Sequence, residues 1–71
     1  MTKAETAFYT RAQAAGAAAF AAGIKSAPCL DPAVMPLLRE ANPTGKIGCK
    51  LSTAVWKGWA NGWHTANLAS N

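Results

Sequence analysis

The chain has 71 residues, a hydrophobic fraction of 51% and a formal net charge of +4. That length excludes a two-domain enzyme or a doubly wound cofactor fold, and leaves a modest core that is marginal without a staple, a metal or a partner. The hydrophobic fraction excludes wholesale disorder. Seventeen residues are alanine, however, which favours helix and close packing but buries little apolar area.

The charge is uneven. Residues 1–40 carry Lys3, Arg11, Lys25 and Arg39 against Glu5, Asp31 and Glu40, whereas residues 41–71 carry Lys46, Lys50 and Lys57 and no acid. A one-sided cationic half suits an anionic partner such as RNA, DNA, an acidic protein face or anionic lipid. The ordinary alternative is a solvated basic surface.

In chain order, Thr2-Lys3-Ala4-Glu5 is a capping box, and a run of good helix formers follows it. The pattern predicts a helix over 3–26. Tyr9, Gly16, Phe20 and Ile24 fall along one face, beside a strip of small residues, Ala12, Gly16, Ala19 and Gly23, which a second helix can approach closely. Lys3 and Arg11 ahead of Ala12–Ile24 imitate a signal peptide. The Ala/Gly character of that run, the interruption at Lys25 and Pro28 just before Cys29 argue against one, so a cytoplasmic location in a bacterial cell or phage-infected host is expected. No stretch has the length and apolarity of a membrane span.

Pro28, Pro32, Pro36 and Pro43 forbid a continuous helix through the middle of the chain. Residues 27–51 therefore read as a loop with room for one short helix built on Leu37–Ala41, opened by Asp31-Pro32 or by a start near Met35. Asn42-Pro43-Thr44-Gly45 is a turn. A second long helix is predicted over 53–68, with Ser52 or Thr53 as N-cap. Trp56, Trp59 and Trp63 lie within an arc of roughly 60° on it, while Lys57, Asn61 and His64 share another face. Gly58 and Gly62 flank the tryptophans and let another backbone come close. The expected fold is all-α: one domain, 1–71, a small hairpin of two long helices joined by a Pro-rich loop.

Three tryptophans in so short a span could stack on single-stranded bases or anchor a partner. With few other large apolar residues available, the packing argument puts Trp59 and Trp63 in the groove of the first helix, and leaves Trp56 as the exposed one. Gly16, Phe20, Gly23, Trp59, Gly62 and Trp63 form the expected structural core. Cys29 and Cys49 could close a disulfide worth about 3 kcal/mol. In a reducing compartment they are expected to be free and buried. Cys29, Cys49, His64 and Asp31 lack paired metal-ligand spacing, so no metal is expected. A lone His64 beside Lys57 reads as a surface residue or phosphate contact, and there is no phosphate-binding loop. No cofactor and no catalytic residue are expected.

Two segments, Gly16…Gly23-Ile24-Lys25-Ser26-Ala27-Pro28-Cys29 and Trp59-Ala60-Asn61-Gly62-Trp63-His64-Thr65-Ala66, resemble the ribosome modulation factor family. The family includes small phage and plasmid relatives and a branch associated with fluoroquinolone resistance. Its pattern is a Gly-containing first helix, a Cys-Pro near that helix's end, and W-x-x-G-W with an Ala three residues later. Trp59, Gly62, Trp63 and Ala66 match it directly. Cys29 matches with its proline on the other side. The family's densely basic N-terminus is reduced here to Lys3 and Arg11 around Glu5, and the segment between Cys29 and Trp59 is longer. The resemblance implies two crossing helices, binding to ribosomal RNA or a ribosomal subunit, and inhibition of translation; with no nucleotide loop and no paired acids, the protein is expected to be non-enzymatic.

On that reading Lys46, Lys50 and Lys57 supply phosphate contacts, assisted by Arg11, Lys25 and His64, with Trp56 available for stacking. The competing reading is a phage-type inhibitor of a host protein or nucleic-acid-processing complex, presenting Val34, Met35, Leu37 and Leu38. ATP-dependent modification of a small molecule ranks last. A core this small also leaves homodimerisation open.

Overall fold

The computed structural model describes residues 1–70 and is helical throughout, with no strand among the described residues. The single-domain reading extends to Asn71, which lies outside them. Helix α1 spans Lys3–Ala21, a 3₁₀ turn spans Pro28–Leu30, α2 spans Val34–Ala41 and α3 spans Lys50–Ala69. The long helices α1 and α3 pack on each other as the expected pair of long helical arms.

The capping box forms as the sequence predicts: Glu5 N–H donates to Thr2 Oγ1 at 3.2 Å, and Thr2 N–H donates to Glu5 Oε1 at 3.4 Å. The far end of α1 differs from the expected boundary at 26. Gly23 takes φ +82°, its N–H donates to Phe20 O at 3.0 Å, and Ile24 N–H donates to Ala19 O at 2.9 Å. This Schellman closure stops the helix at Ala21 and turns Ile24 onto the core. Gly23 is therefore an exposed cap and not the core residue its helical spacing suggested.

α2 is the short helix expected in the loop. Asp31 Oδ1 accepts from Ala33 N–H at 3.0 Å and Asp31 O accepts from Val34 N–H at 3.1 Å, which folds the chain into its first turn. Pro36 falls within that turn, where its missing N–H would have no intrahelical partner. α3 starts at Lys50, before the predicted 53. Cys49 is the extended N-cap, and Thr53 N–H donates to Cys49 O at 3.2 Å, so Ser52 and Thr53 sit inside the first turn instead of capping it.

Glycine sets how closely α1 and α3 approach. A methyl group at Gly58 would collide with the Tyr9 carbonyl, one at Gly62 with the Gln13 carbonyl, and one at Gly16 with the Trp59 carbonyl. The two backbones therefore touch directly, in the geometry that permits Cα–H···O contacts worth about 0.5–1 kcal/mol each. Tyr9 meets Gly58 and Gln13 meets Gly62, so the contacts advance in step along both helices. Both arms point the same way, and residues 22–49 carry the chain back along the pair.

The tryptophans close this frame over the connector. Trp59 is fully buried and its Nε1–H donates to Asp31 Oδ2 at 2.7 Å. Trp63 is half-buried; its Nε1–H donates to Ile24 O at 2.8 Å, and its ring meets Phe20 edge-on at 5.3 Å. Trp59 and Trp63 are thus scaffold, as the packing argument predicts, and each holds one stretch of the connector. Val34, Leu37, Ala41 and Val55 complete the core under α2. The molecule measures 38 × 23 × 15 Å, little more than one helix thick in its shortest direction. Among the described residues the largest side chains buried completely are Trp59, Val34 and Val55.

Arg11 and Glu40 join α1 to α2 through a bidentate pair at 3.0 and 2.8 Å, with Arg11 also lying over the Phe8 ring. Hydrogen bonding to Arg11 lowers the Glu40 carboxyl below its ordinary range and raises the guanidinium. The lowered carboxyl contributes stability above the unfolded glutamate pKa, and that contribution disappears as pH falls through the folded value. Both partners are about half exposed, so the effect is small. Glu40→Gln should flatten the acid side of a thermal-stability profile while leaving the neutral plateau nearly unchanged, as followed by circular dichroism.

Candidate nucleic-acid interface

Packing consumes one side of α3 and leaves the other to solvent. Ala54, Val55, Gly58, Trp59 and Gly62 face the core. Lys50, Lys57, Asn61 and His64 fall on one exposed stripe along the helix axis. Lys46 is exposed in the loop before α3. Its loop is fixed by Asn42, whose Oδ1 accepts from Lys46 N–H at 2.9 Å and whose Nδ2–H donates to Lys46 O at 2.8 Å. Gly45 and Gly48 flank Lys46 and Ile47 with positive φ, and Ile47 stands fully in solvent.

Lys50 and Lys57 border a cleft of about 250 Å3 between the first turns of α1 and α3, lined also by Met1, Glu5, Thr53 and Ala54. A lysine is the first residue of α3, and that helix has no acid in its first turn. A cation there opposes the helix macrodipole, which favours negative charge at an N-terminus. Among the described residues the one ion pair is Arg11–Glu40, so none of these lysines is paired with a described acid.

The remaining expected contacts do not all join this group. Arg11 is held by Glu40 on the α2 side. Lys25 is exposed in the connector, between Ile24, which accepts from Trp63, and Ser26, whose Oγ lies 3.3 Å from His64 Nε2. His64 also packs edge-on against Trp63 at 5.1 Å. Lys25 and His64 therefore belong to the far end of α3. Trp56 is 37% exposed, the most open of the three indoles, and lies about 100° around α3 from Lys57.

Three further expectations change. Val34 and Leu37 are buried and Leu38 is half-buried; of the four apolar residues expected at the surface only Met35 is exposed, joined there by Leu30 and Leu68. The cysteines are free thiols but not buried: Cys29 is exposed and Cys49 is half-buried. The Cys49 thiol titrates below its ordinary range, chiefly through the Ser52 amide at the start of α3, against the opposing effect of burial. Among the described residues no three His, Cys, Asp or Glu side chains converge.

Sequence reasoning missed Asp31 as the acceptor for Trp59. The available signal was that a buried indole N–H needs an acceptor, and Asp31 is an acid set among prolines and apolar residues. It also missed Glu5 as part of the lysine cleft, because the capping box already accounted for that side chain. No described helix is long and apolar enough to cross a membrane. The chain matches no protein-family model, no curated protein and no solved structure.

Proposed function

We propose that this chain is a non-enzymatic RNA-binding protein of the ribosome-modulation-factor type, acting in the cytoplasm on ribosomal RNA or a ribosomal subunit and inhibiting translation. The observation that carries this reading is the pair Lys50 and Lys57 on the face of α3 that the core does not use, with Lys46 exposed in the loop before that helix and none of the three ion-paired among the described residues. Scaffold and contact residues divide cleanly along that helix. The W-x-x-G-W tryptophans serve packing, so stacking on a base falls to Trp56 and phosphate contact to the lysines. The test is co-sedimentation with bacterial ribosomal subunits across a salt series. Two to three neutralised phosphates give a slope of log affinity against log salt of about −1.4 to −2 on single-stranded RNA. Binding that does not change with salt would exclude the reading.

The second reading, inhibition of a host protein, is favoured by the exposed apolar side chains Leu30, Met35, Ile47 and Leu68. It predicts association that survives nuclease treatment and weakens when Met35 or Leu30 is replaced by a polar residue. Self-association through the same residues would appear in sedimentation equilibrium of the purified chain.

A further inference from the structure

We propose that the cleft between the first turns of α1 and α3 is a seat for a single phosphate group, and that on the RNA reading above, on which its natural occupant rests, this is one backbone phosphodiester. The cleft of about 250 Å3 is open to solvent and roomy enough for a hydrated phosphate. Lys50 and Lys57 stand two helical turns apart on the same exposed face of α3, so two flexible ammonium groups reach one object from two levels. Neither is ion-paired among the described residues, and neither α3 nor the loop before it contains an acid. The parallel run of α1 and α3 brings the positive ends of two long helices to this same end of the molecule.

The counter-charge is Glu5 on the α1 wall. Its Oε1 accepts from Thr2 N–H, which ties the carboxylate to the start of its own helix instead of to either lysine. Glu5 opposes an anion in the cleft, so removing its charge strengthens binding there. Glu40→Gln changes the net charge equally but lies on the α2 side, and gives the matched control. Gln at position 5 keeps the capping geometry.

The experiment follows amide signals of the isotope-labelled full chain by NMR, first with inorganic phosphate at constant ionic strength and then with a short oligouridylate. Phosphate is expected to move the amides of Glu5, Lys50, Thr53 and Lys57 and to leave those around Lys25 unmoved. Lys50→Gln with Lys57→Gln weakens phosphate binding several-fold and lowers the oligouridylate salt slope by about 0.7, the value for one phosphate. Glu5→Gln strengthens phosphate binding, and Glu40→Gln does not. Shifts that are absent, or spread evenly over every lysine, overturn the seat. Oligouridylate that binds wild type and the double variant alike overturns it too, while leaving the RNA reading intact. Phosphate held in the cleft without any oligouridylate binding keeps the seat and removes RNA as its occupant.

Discussion

Gly62→Ala is expected to lower the thermal midpoint by about 10–25 °C or to leave the chain unfolded at room temperature. The methyl group would occupy the position of the Gln13 carbonyl, and that neighbour is backbone inside a helix, so it cannot rotate aside. Overpacking of a close-packed contact costs typically 1–3 kcal/mol, and a backbone obstacle places this site at or above the top of that range. The only relief is to move α3 off α1, which also withdraws Trp59 from Asp31 and Trp63 from Ile24. Gly58→Ala meets the Tyr9 carbonyl and should behave alike. Gly23→Ala separates steric from conformational cost. Nothing lies near a side chain there, and only the left-handed φ opposes it, for roughly 1–2 kcal/mol. Melting curves followed by circular dichroism should rank Gly62→Ala well below Gly23→Ala. Equal midpoints would mean that α1 and α3 do not touch backbone to backbone.

The second large effect centres on Trp59. Trp59→Phe keeps most of the ring but leaves Asp31 Oδ2, on a carboxylate only 4% exposed, without its indole donor. An orphaned buried acceptor costs about 1–3 kcal/mol, more when it is charged. Asp31→Leu strands the indole N–H and also removes the acceptor for Ala33 N–H at the entry to α2. The double variant leaves neither the charge nor the indole donor unpaired. Its loss should therefore be smaller than the sum of the single losses by about 1 kcal/mol or more. Chemical denaturation of the four proteins measures that coupling, and strict additivity would contradict the buried bond.

What the sequence made legible follows from what periodicity encodes. Helical spacing assigns residues to faces, and it put Trp59, Trp63, Gly58 and Gly62 on the side where packing was needed, opposite Gly16. It could not distinguish the two uses of glycine. Gly16 and Gly23 sit seven residues apart on one apparent strip, yet one admits a neighbouring backbone and the other turns the chain through a left-handed cap. Face assignment is also blind to direction, so the parallel run of α1 and α3, which joins Glu5 to Lys50 and Lys57 in one cleft, had no sequence signal. The start of α3 was misplaced because Ser52 and Thr53 are better capping residues than Cys49. Tertiary contact decided instead: Cys49 Sγ–H points to Ala41 O at 3.6 Å, fixing where the chain leaves α2 and enters α3. Among the contact residues, the helix wheel made only the exposure of Lys57 readable; Lys46 and Lys50 fell in the predicted loop, and the wheel grouped Trp56 with the two packed tryptophans. The capture of Arg11 by Glu40 was not, because the partners are far apart in sequence.

Packing and charge fall on different residues of α3, and the central claim is that they are separable. The most direct test is the affinity of Lys46→Glu/Lys50→Glu/Lys57→Glu for small ribosomal subunits at low salt, measured beside its thermal midpoint. Reversing charge at the first residue of α3 removes an unfavourable interaction with the helix macrodipole. The midpoint is therefore expected to equal or slightly exceed that of wild type, and subunit binding to be lost. A variant that melts like wild type and still binds subunits with unchanged affinity would contradict it.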